Sequence, residues 1–189
     1  LTAEATGLYY TGVLFPEFEA AQKWRETAIT RLYEQMEHEV YPDGFEYELA
    51  LGYGMWVLRN YSDVLDFALL NDMRDELPAD WLDRIERMYD YTLYVSMPNG
   101  YMPGLNDSGN ASRDQYMERA AEYFPEREDF AWAATGDGGP PLETSRAFDY
   151  SGHYVMRSGW DPDDLFMLMD AGPFGSGHLL EPAGHGGDL

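Results

Sequence analysis

A histidine closes a glycine-rich run: His178 follows Gly172-Pro173-Phe174-Gly175-Ser176-Gly177, a segment with too few side chains to pack and free to come close to a ligand. Histidine titrates near neutrality, so at the end of such a loop it suits the role of a base. A second candidate stands far upstream, where Asp43-Gly44-Phe45-Glu46-Tyr47-Glu48-Leu49-Ala50-Leu51-Gly52-Tyr53 reads as a loop running into a helix. At a helix start facing a cleft, Tyr53 would donate or accept a proton, given cationic neighbours that lower its phenol from the ordinary value of about 10. The alternative is a packed tyrosine, one of 15 in the chain. Glu48, in the same run, is a candidate to hold substrate, although a carboxylate there equally serves as a cap or a solvated group. Asn106-Asp107-Ser108, on a long turn-rich loop, offers the polar groups that grip sugar hydroxyls and is also ordinary turn chemistry. Arg157 stands inside an apolar run, where a guanidinium needs an anionic ligand or a nearby aspartate.

Composition narrows what these groups act on. Of 189 residues, 35 are acidic and 12 basic, giving a net charge of −23, and Lys23 is the one lysine. A nucleic-acid partner is excluded by the missing basic stripe. A polyanionic substrate is not, because charges are screened over roughly 8 Å at physiological salt and a local cluster of arginine and histidine outweighs distant acids. Plain solubility or a salt-rich habitat also accounts for the acidic surface. Without cysteine, disulfides and thiolate metal sites are excluded while the compartment stays open. His38 and His153 carry little weight, His185 lies in a glycine-rich tail, and the four histidines are too scattered to predict a metal or other cofactor. Acidic pairs suited to glycoside hydrolysis abound in so acidic a chain and single out nothing. No signal peptide is visible, and no apolar run approaches the roughly 18 residues of a membrane-spanning helix.

The elements that must position these groups change character along the chain. Apolar spacing predicts helices over Thr2–Phe15, Glu17–Val40, Tyr53–Asn60, Ser62–Met73, Pro78–Ser96, Arg113–Phe124 and Glu126–Thr135, with Pro16 in a first turn and Ser62 as an N-cap. The helices come in pairs with short connections, which pack as hairpins in a bundle, a solenoid or an α/α toroid. Gly136–Pro141 opens a linker. Tyr154–Arg157 and Leu165–Asp170 then predict two strands of a hairpin turning at Asp161-Pro162-Asp163. The expected fold is mainly α, residues 1–135, with a linker at 136–149 and the first strands of a sheet over 150–189. The chain starts on Leu1 and its last strand pattern finds no partner strands, so it reads as an internal piece of a longer protein.

D-G-F-E-Y-E-L-A-L-G-Y at 43–53, P-N-G-Y-M-P-G-L-N-D-S at 98–108, and Y-V-M-R-S-G-W at 154–160 followed by D-A-G-P-F-G-S-G-H at 170–178 together resemble the heparinase II/III-like polysaccharide lyases, a group that includes alginate lyases. The resemblance covers nearly the whole chain, up to about His178. It implies the C-terminal part of an α/α toroid followed by the start of an antiparallel β-sandwich, with the active site between them. It further implies β-elimination on a uronate-containing polysaccharide: the uronate carboxylate is neutralised, the C5 proton removed and the O4-linked sugar expelled. Tyr53 then matches the tyrosine that donates a proton to the leaving oxygen, or takes the C5 proton, and His178 the histidine that acts as base or stabilises charge. Glu48, Asn106, Asp107 and Arg157 are the accompanying substrate-binding candidates. A periplasmic or secreted location is likewise implied. Departures are present. The family's carboxylate-gripping asparagine or histidine would fall immediately before Leu1, and Gly54 stands where many members carry histidine. Leu180 and Pro182 replace a histidine and an acid that in some members serve a structural metal, so those ligands are not matched. An α/α-toroid glycoside hydrolase and a non-catalytic uronate-binding module are the competing expectations. Scarce basic groups tilt the substrate toward unsulfated uronates.

Overall fold

Residues 1–172 are described by a computed structural model, together with the backbone of two short strands at 176–177 and 181–182. Six α-helices come first: α1 Thr2–Leu14, α2 Ala21–Glu39, α3 Leu51–Leu70, α4 Trp81–Val95, α5 Asp114–Tyr123 and α6 Glu128–Thr135, with a 3₁₀ turn at Arg74–Glu76. The principal helix contacts are α1 with α2, α5 with α6, and α3 with α1 and α4. Strands β1 Arg146–Phe148, β2 His153–Arg157 and β3 Phe166–Asp170 form an antiparallel sheet in the order β1-β2-β3, and β4 Ser176–Gly177 pairs with β5 Glu181–Pro182. Among the described residues, no helix is long and apolar enough to cross a membrane.

The sequence is most informative where one helix face is strongly apolar. On α4, Trp81, Ile85, Met88 and Tyr89 recur at three- and four-residue spacing and are all buried, as an amphipathic stripe requires. Three expectations change in the structure. The helices expected over Tyr53–Asn60 and Ser62–Met73 are one continuous helix, and Ser62 is no cap: its buried hydroxyl hydrogen-bonds the Tyr89 hydroxyl at 2.7 Å. A partner on α4 satisfies the serine, so the backbone need not break to do so. The stretch 136–149 also contains β1, whose Phe148 joins the core; three residues are too few to show a period of two. The helix predicted from Glu17 begins at Ala21.

The sheet lies on the helices through its inward residues. Val155 and Phe148 belong to the same apolar cluster as the helical core. Beside them, His153 is fully buried, with its Nδ1 2.6 Å from the Tyr91 hydroxyl and its Nε2 3.5 Å from Asp170 Oδ1. Desolvation holds this imidazole below its ordinary 6.5 despite Asp170. A base whose folded pKa is lowered is neutral in the native state, whereas the unfolded chain takes up the proton. Stability from this group is therefore complete above pH 6.5 and declines as pH falls below that value. Urea midpoints measured from pH 7.5 to pH 5 should drop more steeply for the native sequence than for His153→Gln.

Candidate active site

Tyr53 lies in the first turn of α3, and two loops fix that turn. Leu49, just before the helix, sits in the left-handed region at φ 58°, as does Asn106 at φ 55° on the 98–112 loop. Left-handed backbone is costly for a residue such as leucine and persists where its surroundings enforce it. Here the enforcing contact is direct, since Asn106 Nδ2 donates to the Leu49 carbonyl at 2.7 Å. Two residues on, the Ser108 hydroxyl accepts from the Gly52 N–H at 2.8 Å, doing from a distant loop what an N-cap side chain does locally. Asp107, between them, accepts the Tyr53 hydroxyl at 3.2 Å. Thus Asn106-Asp107-Ser108 and the 43–53 run, read separately in the sequence, make one structure.

The cationic neighbours imagined for Tyr53 are replaced by a carboxylate. The hydrogen bond to Asp107, then that residue's charge, raises the phenol above its ordinary 10.0. The ring is 41 % exposed. A phenol held this way stays protonated at neutral pH and is suited to give a proton rather than to take one. Asp107→Asn should let the Tyr53 pKa fall toward its ordinary value, moving the alkaline limit of any activity that needs the neutral phenol to lower pH. Ultraviolet difference titration of the tyrosines, beside a pH–rate profile, measures that shift.

Tyr53 opens onto a cleft of about 250 Å³ lined also by Thr2, Glu39, Glu46, Glu48 and Trp56. That is below the range of pockets that enclose whole ligands and suits a single ring of a longer chain. Trp56, three residues after Tyr53 and therefore on the same helix face, is 47 % exposed and offers an apolar platform. Glu48 is half-buried at the rim. Glu46 is only 2 % exposed, and its Oε2 accepts the Glu48 N–H at 3.1 Å. Sequence reasoning did not single out Glu46, Glu39 or Trp56. The three-residue spacing of two aromatics on a helix start was the available signal for Trp56; nothing local marks the glutamates.

Arg157 departs from its expected role. It is 7 % exposed, its guanidinium lies 3.7 Å from the Trp160 ring centroid, and it donates to the Tyr94 and Ser96 carbonyls at the end of α4. Carbonyls and the negative end of a helix replace the expected anion. Desolvation, with Arg113 nearby, lowers its pKa to about 10. It does not line the Tyr53 cleft; in place of a ligand contact it clamps the sheet to the end of α4. Asp43, at the start of the first motif, plays a parallel part: its Oδ2 accepts the Tyr150 and Ser151 N–H groups at 2.9 and 2.8 Å. His178 and His185 lie outside the described residues.

The molecule is thus a mainly helical scaffold bearing a small antiparallel sheet, with an exposed tyrosine in a sugar-sized cleft at a helix start. The Heparinase II/III N-terminus family model matches residues 1–132, and the chain belongs to that family. Curated relatives include heparin-sulfate lyases of Bacteroides thetaiotaomicron, 27 % identical over 186 residues, and of Bacteroides stercoris, 30 % identical over 178 residues. The alignments take in 89 % and 92 % of this chain but only 26 % and 27 % of those proteins, so the chain spans about a quarter of their length. Among solved structures, a heparinase III gene product superimposes with a TM-score of 0.85 at 32 % identity, covering 94 % of this chain and 29 % of its own. The heparan sulfate lyase HepC of Pedobacter heparinus gives a TM-score of 0.82 at 29 % identity, covering 92 % of this chain and 28 % of its own.

Proposed function

We propose that the full-length protein is a polysaccharide lyase that cleaves a heparan-type uronate polysaccharide by β-elimination, with Tyr53 as the proton donor to the leaving O4 oxygen. The observation that carries this reading is the Tyr53 hydroxyl: it is solvent-facing, beside a ring-sized cleft, and held protonated by Asp107. Elimination needs a masked carboxylate, because the C5 proton is otherwise far too weak an acid, and it needs an acid at the departing oxygen. His178 is the partner base or charge stabiliser in this scheme. Names borne by the relatives favour a heparan-type polymer over alginate.

The helices are then the C-terminal part of an α/α toroid and the strands the start of a β-sandwich. In support, the outward sheet face carries Met156, Met167 and Met169, 39, 52 and 43 % exposed, with Met156 and Met167 directly paired across β2 and β3. Such a face suits burial under a second sheet. Export to the periplasm or beyond follows from where such polymers are met.

One observation favours a second reading. Buried Glu46, its carboxyl pushed up to about 8 by burial and then by the charge of Glu48, lines the same cleft as Glu48, and a pair of carboxyls at one cleft is what a glycoside hydrolase uses. The assay that decides offers the full-length protein heparan sulfate, chondroitin, hyaluronan and alginate in turn. Ultraviolet absorbance from a new double bond is expected with heparan sulfate. Reducing ends without that absorbance would establish the hydrolase instead.

A further inference from the structure

We propose that Trp56 is a substrate-binding residue whose indole face stacks on the neutral hexosamine of the leaving side, the ring joined to the oxygen that Tyr53 protonates. This deepens the lyase reading above and rests on it.

The register of α3 sets up the pair. Leu51, Gly54, Met55, Val57 and Leu58 form the buried stripe at the start of that helix, which turns Tyr53 and Trp56 outward, both exposed. Three residues separate them, so they share one face about 4.5 Å apart along the axis. That step is close to the length of one sugar ring, and both side chains line the same cleft of about 250 Å³.

Trp56 also stands apart from the other tryptophans. Of the five in the chain, Trp24 packs against Phe18, Trp81 against Tyr61, and Trp132 against Trp160, which in turn meets Tyr94. The Trp56 indole has no ring contact and no hydrogen bond among the described residues. Its face is open to a ligand that enters beside Tyr53.

The chemistry of that face selects the ring. An indole suits the C–H face of a pyranose, while the negative potential over an aromatic ring disfavours a sugar bearing a carboxylate. Glu39 and Glu48 line the same cleft and disfavour it further. In an alternating chain the uronate carries the C5 proton and its O4 joins a hexosamine. A hexosamine held flat on Trp56 therefore sets that oxygen beside the Tyr53 hydroxyl and restricts its orientation, which proton transfer to a departing group requires.

The test uses the full-length protein carrying Tyr53→Phe, so that ligand persists, and an unsulfated glucuronate–N-acetylglucosamine tetrasaccharide as the probe. Calorimetry is expected to show binding weakened about tenfold on adding Trp56→Leu, the upper worth of one aromatic contact. Trp56→Phe, which keeps an aromatic face, should retain most of the affinity. Saturation-transfer spectra of the bound sugar should be strongest at the hexosamine ring protons and should lose that signal in Trp56→Leu. Thermal melts of both variants should match the parent, because the indole holds nothing else among the described residues. The assignment is overturned if leucine binds as tightly as tryptophan, if phenylalanine is as weak as leucine, if the lost signals belong to the uronate, or if stability falls along with affinity. With Tyr53 intact, Trp56→Leu should raise KM about tenfold and change kcat less. Unsaturated product made with an unchanged KM sinks the Trp56 assignment alone; neither product nor binding by the protein with both residues intact sinks the lyase reading along with it.

Discussion

Tyr53→Phe in the full-length protein is expected to slow β-elimination by about 10²–10⁴-fold, the usual worth of a positioned acid or base, without weakening the fold. The two halves of that expectation come from the same geometry. Among the described residues the hydroxyl's one partner is the exposed Asp107 carboxylate, which water serves equally well once the phenol oxygen is gone. The ring remains to cover the start of α3, and the helix keeps its hold on Ser108 and Asn106. Initial rates of ultraviolet absorbance on heparan sulfate, beside a thermal melt, measure both halves. A variant with near-normal turnover would remove Tyr53 from the proton-donor role. A variant that lost activity together with stability would show that the phenol is structural.

Gly44→Ala should be the most damaging small substitution in the first motif, costing about 3 kcal/mol or more. Gly44 has φ +92°, and a Cβ there would stand 2.1 Å from the Arg87 carbonyl oxygen and 2.4 Å from its carbon. The left-handed backbone alone costs an alanine roughly 1–2 kcal/mol. Crowding of a well-packed site adds about 1–3 kcal/mol, and here the obstacle is helix backbone, which cannot rotate away. Damage should spread, because the neighbouring Asp43 holds the Tyr150 and Ser151 N–H groups at the corner where the sheet meets the helices. Against a total stability of about 5–15 kcal/mol, the urea midpoint should fall by a large fraction. A midpoint unchanged within error would mean that the 43–46 turn relaxes freely, and the tight approach to α4 would then not be what sets the loop before Tyr53.

Several residues show where sequence reading succeeds. Trp81, Ile85, Met88 and Tyr89 announce α4 because a helix repeats every 3.6 residues and burial follows that repeat. Tyr154–Arg157 and the 165–170 run were recognisable as strands, and their boundaries differ from β2 and β3 by one residue each. The glycines of the 43–53 and 98–108 runs, with their turn chemistry, marked the two loops that frame Tyr53. Each of these signals is local, carried within a dozen residues.

Long-range meetings were not legible. Asn106 reaches Leu49 and Asp107 reaches Tyr53 across more than fifty residues, and no local spacing encodes which loop folds onto which. Burial reversed two expectations drawn from residue type. Ser62, a cap former by composition, sits mid-helix because Tyr89 supplies its hydrogen bond, and Arg157, a ligand-binding cation by composition, is enclosed because the α4 carbonyls and the Trp160 face receive it. The direction of the Tyr53 shift likewise needed the identity of its neighbour, a carboxylate in place of a cation. The sequence by itself determined a mainly helical, acidic chain that ends in antiparallel strands, with its motif-bearing loops placed between elements, because hydrophobic period and turn chemistry are local properties. Tertiary structure alone decided which side chains share the cleft and what proton each one holds, because solvation and charge at a site are set by residues that only folding brings near.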